Sequence, residues 1–298
     1  METLKTIPNP NFSIILPGPC NNRCRFCFWK RDKDENPYTS NYAWNLNKLL
    51  SKLPEQFNQI SITGGEPVIS RHLFDTLKVL REHKDRFRKV VLTTSLVRPA
   101  TVCEDTFFNH LEDWFAGVVT NVNVSFHHYA VGINVKILRT RNGNVAPTVK
   151  PLKDFIEAMN RRGIPVNANC VLTDAFIPKR VGKHDREEMI AAHNEVLNYV
   201  EHAAALGFSS VAFRKPHTKT SGLRPHLAEE AFLGYEVVRE SSCPVCVAKT
   251  QIIKGMYVTW KRSVAEPSDN MPNLIYELVY HPDETLSADW GKNIIVEV

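Results

Sequence analysis

The chain has 298 residues, 43% of them hydrophobic and 23% charged, a balance typical of a soluble globular protein. Its formal net charge of +5 permits an anionic substrate such as a nucleotide but falls short of the strong basic bias of a dedicated nucleic-acid binder. No apolar run approaches a membrane span, and residues 1–8 lack the pattern of a signal peptide, so we expect a cytoplasmic protein without a membrane anchor.

Short apolar runs rich in β-branched residues alternate with helical patterns through most of the chain. Six strands are predicted, at Phe12–Leu16, Gln59–Thr63, Lys89–Thr94, Asn121–Phe126, Val166–Thr173 and Ser209–Arg214. Five helices are predicted between them, at Tyr42–Leu53, Arg71–His83, Thr106–Phe115, Thr148–Arg162 and Arg186–Leu206. This alternation predicts an α/β fold in which right-handed βα units form a parallel sheet, a partial TIM-like (βα)6 barrel.

Two regions depart from this alternation. Segment 127–147 is predicted to be a long irregular loop. After Arg214, a helix is predicted over Ala228–Arg239, and further strands follow that are expected to be antiparallel. These strands are Gln251–Ile253, Met256–Trp260 and Leu274–Tyr280, with turns at Lys254-Gly255 and at His281 to Glu284. We therefore expect a core of residues 1–215 and a small α+β extension of residues 216–298 that docks on the barrel or closes it.

Three thiols lie close together directly after the first predicted strand and the turn Pro17-Gly18-Pro19. They are Cys20, Cys24 and Cys27, a C-x3-C-x2-C spacing. Thiolates favour soft metals, and an iron–sulfur cubane takes one thiolate per iron, so three ligands would leave one iron open. Positions i, i+4 and i+7 also share one face of a helix, where cysteines pack as small core residues. Both interpretations are open on spacing alone, and the short spacing favours the metal site.

The second predicted strand ends in Thr63-Gly64-Gly65-Glu66-Pro67. Glycines allow a ligand to approach the backbone closely, and a carboxylate accepts hydrogen bonds from an ammonium group. A Gly-Gly pair after a strand is, on its own, more often a simple turn.

Together, the first strand, the three cysteines with Phe26 before the last one, and the Gly64-Gly65-Glu66-Pro67 strand end resemble the radical S-adenosylmethionine (radical SAM) superfamily over residues 10–215. The resemblance implies that Cys20, Cys24 and Cys27 bind a catalytic [4Fe–4S] cluster whose open iron chelates S-adenosylmethionine. It also implies that Gly64, Gly65 and Glu66 bind the methionine ammonium group and that Phe26 lies beside the adenine.

The implied reaction is reductive cleavage of S-adenosylmethionine to a 5′-deoxyadenosyl radical, which abstracts hydrogen from a substrate. An external electron donor of the flavodoxin or ferredoxin type is implied as a partner. Relatives include the molybdenum-cofactor cyclase, peptide-modifying maturases and viperin-like nucleotide-dehydrating enzymes, the last of which share an aromatic residue at the position of Phe28. The substrate, whether a nucleotide, cofactor precursor, peptide or RNA, is not identified.

Later strand ends are expected to complete the cofactor site. The predicted contacts are Thr94, Ser125, Asn169 and Arg214, with Ser95 and Asn167 beside them. Two of these strand ends depart from the family pattern, because Thr94-Ser95-Leu96 replaces a frequent Thr-Asn-Gly, and the segment of Ser125 lacks the Asp of many relatives. Each side chain would fit a solvated position equally well.

The loops that follow the fourth and sixth strands carry further candidates. His127 and His128 suit a substrate contact or an acid–base group, although solvated loop histidines are more common. Arg139 and Arg141 suit the cofactor carboxylate or a substrate phosphate, and a solvated charged loop is an equal alternative. A basic stretch that would suit an anionic substrate is formed by Lys215, His217, Lys219 and Arg224.

A second thiol pair, Cys243 and Cys246, lies in the extension. Two thiols do not complete a cluster or a zinc site, so His217 or His281 would have to contribute, and a redox dithiol is another interpretation. Cys103 and Cys170 stand apart, and Cys170 is expected to be a small core residue in a strand.

Two other classes of function are open alongside the radical SAM enzyme. One is a non-catalytic binding module stabilised by zinc or an iron–sulfur cluster, and the other is an electron carrier with a fully ligated cluster. The Gly-Gly-Glu-Pro strand end favours the enzyme, because neither alternative needs a cofactor pocket there.

Overall fold

The computed structural model of the chain describes residues 5–27, 41–53, 56–173, 185–216, 226–241, 248–261, 274–288 and 294–297. Strands and helices alternate along these ranges. In chain order they are β1 (Lys5–Leu16), α1 (Tyr42–Lys52), β2 (Gln59–Gly64), α2 (Leu73–Glu82), β3 (Val90–Thr94), β4 (Arg98–Pro99), α3 (Glu104–Phe115), β5 (Asn121–Ser125), α4 (Val131–Leu138), β6 (Asn144–Val145), α5 (Val149–Arg161), β7 (Val166–Val171), α6 (Asp185–Ala205), β8 (Ser210–Arg214), α7 (His226–Glu230), β9 (Val237–Glu240), β10 (Ala248–Ile253), β11 (Met256–Lys261), β12 (Leu274–Tyr280), β13 (Thr285–Ser287) and β14 (Ile294–Glu297). The six predicted core strands and the five helices between them are confirmed.

A single mixed sheet organises the fold. Its strand order is β14-β13-β12-β1-β2-β3-β5-β7-β8-β11-β10-β9, and the strands from β1 to β8 in that order are all parallel. Helices connect these parallel strands, which confirms the α/β class and the (βα)6 arrangement. Among the described residues no pairing joins the two outermost strands, and the parallel strands form the partial TIM-like barrel that the sequence predicts.

The strands after residue 216 extend this same sheet at both edges. The Lys254-Gly255 hairpin between β10 and β11 is confirmed, and both turn residues have positive φ angles of 53° and 76°. The expectation of purely antiparallel strands is wrong, since β11 runs parallel to β8 and β12 runs parallel to β1. A hairpin signal fixes the direction of two strands relative to each other but not relative to the core sheet. The division into residues 1–215 and 216–298 stays a prediction.

Two further predictions about secondary structure are corrected. The helix expected over Ala228–Arg239 is limited to α7, and its second half is strand β9, where the β-branched Val237 and Val238 favour an extended chain. The segment 127–147 is not a plain loop, because it contains α4 and β6, and β6 pairs with β4.

One face of the sheet packs against the helices and forms the core. Helix α5 illustrates how, because Leu152, Phe155, Ile156 and Met159 recur at the spacing of one helix face and are all buried. Burial of each such side chain stabilises the fold by about 1.5–3 kcal/mol. Residues on alternate strand positions, among them Ile14, complete this core.

The other face of the sheet is polar. Parallel strands buried on both faces are usually continuous apolar runs, but β5 and β7 alternate buried apolar residues with half-buried asparagines and a serine. The Asn167 amide donates to Asn123 Oδ1 at 3.2 Å and accepts from Ser210 Oγ at 2.8 Å. The inner face of the partial barrel is therefore a hydrogen-bonding surface at the centre of the fold.

No helix in the described ranges combines the length and the apolar character that crossing a membrane requires.

Candidate active site at the carboxyl edge of the sheet

The three clustered cysteines lie on a loop that leaves the carboxyl end of β1. Residues 20–27 contain no helix, and the Cys27 side chain is exposed while those of Cys20 and Cys24 are half-buried. The alternative in which these cysteines share one buried helix face is therefore wrong. Leu138, at the end of α4, fixes the loop by accepting hydrogen bonds from the Arg23 backbone N–H at 3.0 Å and from Cys24 Sγ at 3.4 Å.

The donor set of this loop fits an iron–sulfur cluster. In the described part of the chain, no three His, Cys, Asp or Glu side chains converge on a point that would suit one metal ion. A cubane distributes its thiolates over separate irons, so its ligands do not need to converge in that way. The Asn22 backbone N–H also donates to Cys20 Sγ at 3.4 Å, and such a bond stabilises a thiolate.

Gly64 and Gly65 bring the end of β2 against the backbone that enters the cysteine loop. A Cβ at Gly64 would lie 2.6 Å from Leu16 O, and one at Gly65 would lie 2.8 Å from Pro19 O. Gly64 also has a φ of 145°, which side-chain-bearing residues rarely adopt. The chain's own backbone makes a close approach at these glycines, and the ligand contact expected there stays a prediction. The glycines therefore position the cysteine loop.

Glu66 is buried directly after these glycines. Its carboxylate accepts hydrogen bonds from Thr94 Oγ1, from Ser95 Oγ and from the Ser95 backbone N–H at 2.9 Å. Burial raises the pKa of Glu66, and the hydrogen bonds from Ser95, Thr94 and Val68 act in the opposite direction. Donors converge on both carboxylate oxygens, an arrangement that matches the ionised form.

Asn22 connects the cysteine loop to this buried carboxylate. Its amide donates to Ser95 Oγ at 2.8 Å, and the same hydroxyl donates to Glu66. Asn22 Oδ1 accepts from Thr140 Oγ1 at 3.1 Å. The sequence analysis missed Asn22, and its only signal was a carboxamide inside the cysteine motif. One buried network thus joins the cysteine loop, the Gly-Gly-Glu strand end, the end of β3 and the segment after α4.

The structure shows how the chain accommodates Leu96 where many members of the family have the glycine of Thr-Asn-Gly. Leu96 is fully buried and has a φ of 56°, the left-handed conformation that glycine adopts most readily. Its backbone N–H donates to Thr94 Oγ1 at 2.9 Å. This chain therefore keeps the turn that a glycine would provide while it gains a buried leucine side chain.

His127 and His128 are both buried, so the expectation of solvated loop histidines is wrong. Burial lowers the pKa of His127 to about 3, which leaves its ring neutral at physiological pH. The Val171 backbone N–H donates to His127 Nδ1 at 3.0 Å, so the proton is on Nε2. The ring packs edge-on against Phe26, with the centroids 4.9 Å apart. His127 thus supports Phe26 of the cysteine loop from the end of β5.

The remaining candidates are distributed around the same edge. Ser125 and Asn169 are register partners at the ends of β5 and β7, and both are half-buried. Arg141 contacts the cysteine loop, with its backbone N–H 2.8 Å from Asn21 O, whereas Arg139 is an exposed residue at the end of α4. Arg214 ends β8, which four strands separate from β1, the strand that precedes the cysteine loop.

Three further candidates lie among the described residues, namely Cys170, Cys103 and His281. Cys170 is buried in β7, as expected, and its thiol donates to His127 O at 3.5 Å. Cys103 is exposed at the start of α3, and His281 is buried against Ser287 at 2.6 Å. Several predicted residues lie outside the described residues, namely Phe28, His217, Lys219, Arg224, Cys243 and Cys246.

Comparisons with known proteins agree with this geometry. The sequence model of the radical SAM superfamily matches residues 14–193. The S-adenosylmethionine-dependent nucleotide dehydratase of Lacinutrix mariniflava is 24% identical over 178 residues, which cover 57% of this chain and 34% of that protein. The chain therefore matches about a third of the length of that relative. Streptococcus suis SuiB, in its crystal structure with S-adenosylmethionine, has a similar fold, with a TM-score of 0.59 and 13% identity over 96% of this chain and 60% of SuiB.

Proposed function

The chain belongs to the radical SAM superfamily of enzymes, with a [4Fe–4S] cluster and S-adenosylmethionine as cofactors, and we propose that Cys20, Cys24 and Cys27 are the three protein ligands of that cluster. When bound, the reduced cluster supplies the electron that cleaves S-adenosylmethionine to methionine and a 5′-deoxyadenosyl radical, which abstracts hydrogen from the substrate. An external donor of the flavodoxin or ferredoxin type is the proposed source of the electron.

The observation that carries this proposal is the buried connection between the cysteine loop and Glu66. Asn22 and Ser95 link the two by hydrogen bonds, and Gly65 packs directly on the backbone of Pro19. A site that binds a cofactor between these elements needs them at a fixed separation, because catalytic groups must be held to within a fraction of an ångström. A free-standing zinc loop has no need of this second element.

Glu66 is the proposed charge partner of the methionine ammonium group. Thr94 and Ser95 donate to its two oxygens and hold the carboxylate in place, and the charge of the carboxylate attracts the ammonium group. A buried carboxylate attracts a nearby cation more strongly than an exposed one does, since the local dielectric is low. Gly64 and Gly65 keep the backbone next to that charge free of side chains.

The rest of the cofactor is proposed to lie along the carboxyl edge of the sheet. Phe26, braced by His127, contacts the adenine, and Thr94 holds Glu66. Ser125 and Asn169 present adjacent polar groups on the inner face, where they contact the ribose or the carboxylate of S-adenosylmethionine. The substrate lies on the same polar face, and the nucleotide substrate that the Lacinutrix relative's name gives is one candidate.

The test compares two cysteine variants. Wild type, reconstituted anaerobically with iron and sulfide, is expected to hold about four irons per chain and to form 5′-deoxyadenosine with dithionite. Cys24→Ala is expected to lose cluster and cleavage, and Cys103→Ala, which removes an exposed thiol outside the loop, is the matched control expected to retain both. A Cys24→Ala protein that cleaves S-adenosylmethionine normally would contradict the proposal. A colourless zinc protein without cleavage would support the binding module instead.

A further inference from the structure

The segment that follows α4 contacts the cysteine loop through both its backbone and its side chains. The Arg141 backbone N–H donates to Asn21 O at 2.8 Å. Next to it, Thr140 Oγ1 donates to Asn22 Oδ1 at 3.1 Å, although these two residues are 118 positions apart in the chain. Thr140 is half-buried and Asn22 is buried, so their hydrogen bond is partly shielded from water. The hydroxyl of Thr140 is therefore placed to act on the loop.

The ionised carboxylate of Glu66 sets the direction of the hydrogen bonds that lead to Thr140. A carboxylate only accepts, so the hydroxyl of Ser95 donates its proton to Glu66. The Ser95 oxygen in turn accepts from the amide nitrogen of Asn22 at 2.8 Å. The amide oxygen of Asn22 then faces Thr140, whose hydroxyl has to be the donor. Every donor in this chain points toward the buried charge, and hydrogen bonds aligned in this way strengthen one another.

Asn22 also contacts the sulfur of a proposed cluster ligand. Its backbone N–H donates to Cys20 Sγ at 3.4 Å, while its side chain is held by Ser95 on one side and by Thr140 on the other. Hydrogen bonds to the sulfurs are one of the factors that set the reduction potential of an iron–sulfur cluster. Reduction adds negative charge, so an N–H that points at a ligand sulfur favours the reduced state. The orientation of the Asn22 side chain thus bears on the potential.

We propose that Thr140 is a positioning residue for the cluster. Its hydroxyl holds Asn22 so that the Asn22 N–H points at Cys20 Sγ, and this makes the reduction potential of the cluster less negative. The inference rests on the proposed function, because it requires that Cys20 be a cluster ligand. It extends that function to the electron-transfer step, since a less negative potential lets an external donor reduce the cluster more readily. Sequence analysis selected Arg139 and Arg141 by their charge and passed over the neutral residue between them.

The test measures the midpoint potential of the reconstituted cluster in the full-length protein, by a redox titration followed by electron paramagnetic resonance. Thr140→Val removes the hydroxyl with little change of shape, and its midpoint potential is expected to be more negative than that of wild type. Thr140→Ser keeps the hydroxyl and is expected to restore the wild-type potential. Thr101→Val, at an exposed position before α3, is the matched control and is expected to have the wild-type potential.

The sign of the shift separates this role from a general loosening of the loop. A loosened loop would admit water, which also stabilises the added negative charge, so the potential would become less negative. A midpoint potential of Thr140→Val equal to that of wild type, or less negative, would therefore overturn the inference. A Thr140→Ser protein that shifts as far as Thr140→Val would overturn it too.

Iron content decides the case in which Thr140→Val assembles no cluster. Retention of about four irons per chain by Thr140→Ser would then support the role of the hydroxyl, and loss of iron from both variants would reject it. Failure of the proposed function has a different signature, since wild type itself would then hold no four-iron cluster and form no 5′-deoxyadenosine. A wild-type protein that cleaves S-adenosylmethionine, with a midpoint potential that Thr140→Val leaves unchanged, would reject the positioning role alone.

Discussion

Replacement of His127 by asparagine is predicted to remove a specific acid sensitivity of the fold. His127 is buried behind Phe26, and its pKa of about 3 means that the folded protein resists protonation of the ring. The asparagine introduced by His127→Asn would keep a side-chain oxygen near the position of Nδ1, where the Val171 N–H donates, but would not titrate. The variant therefore separates the charge of the ring from its hydrogen bond.

The expected magnitude follows from linkage. An unfolded histidine has a pKa of about 6.5, and the folded value is depressed, so the stability that the neutral ring contributes is present above pH 6.5 and is lost as the pH falls toward 3. Each pH unit below 6.5 costs about 1.4 kcal/mol, so wild type is expected to lose about 1.4 kcal/mol between pH 8 and pH 5.5 through this group.

The assay is urea unfolding of wild type and His127→Asn at both pH values. The informative quantity is the change with pH in the difference between their free energies of unfolding, because contributions from other titrating groups and from the cluster cancel in it. The difference is expected to shift by about 1.4 kcal/mol in favour of the variant at pH 5.5. Parallel pH profiles for the two proteins would refute the burial argument for His127.

Two further substitutions test how the cysteine loop is held. Gly65→Ala is expected to displace the loop and lower the iron content after reconstitution, because the added Cβ would lie 2.8 Å from Pro19 O. Gly132→Ala is the control and is expected to retain the wild-type iron content, because no atom lies within 4 Å of its added Cβ. Equal iron content in both would contradict the packing role. Asn22→Ala is expected to lower the free energy of unfolding by about 1–3 kcal/mol and to weaken S-adenosylmethionine binding, because Ser95 loses a buried hydrogen-bond partner. Asn58→Ala, on the exposed surface, is expected to change neither quantity. Calorimetry that finds the same S-adenosylmethionine affinity in both asparagine variants would remove Asn22 from the site.

The sequence predicted the core of the fold because its strands and helices have strong, separate periodicities. Helix α5 shows the pattern most clearly, with four buried residues on one face. Helix α4 escaped prediction because its segment contains a glycine and several β-branched residues, which are poorer helix formers than alanine or leucine. Its last residue, Leu138, accepts hydrogen bonds from the cysteine loop, a contact that no local pattern reveals. The parallel pairing of β11 and β12 with the core was also hidden, since strand direction depends on the path of the chain and not on its local composition.

The candidate site was predictable where its residues form a local motif and not where they meet through the fold. Residue type and spacing alone identify the local motif, which consists of Cys20, Cys24, Cys27 and the Gly64 to Glu66 strand end. The bond from Asn22 to Ser95 joins residues 73 positions apart, so no local pattern could reveal it. Burial likewise changed the interpretation of His127, because a polar residue after a strand is solvated or enclosed according to what the rest of the chain places over it.

The most direct test of the account is whether one iron of the cluster binds S-adenosylmethionine. Reduced wild-type protein would be mixed with S-adenosylmethionine labelled with 15N in its amino group, and the cluster would be examined by pulsed electron–nuclear double resonance. Three cysteine ligands leave one iron open, so the account predicts a hyperfine coupling between the cluster and the labelled nitrogen. An intact, reduced cluster that binds S-adenosylmethionine without any such coupling would contradict it.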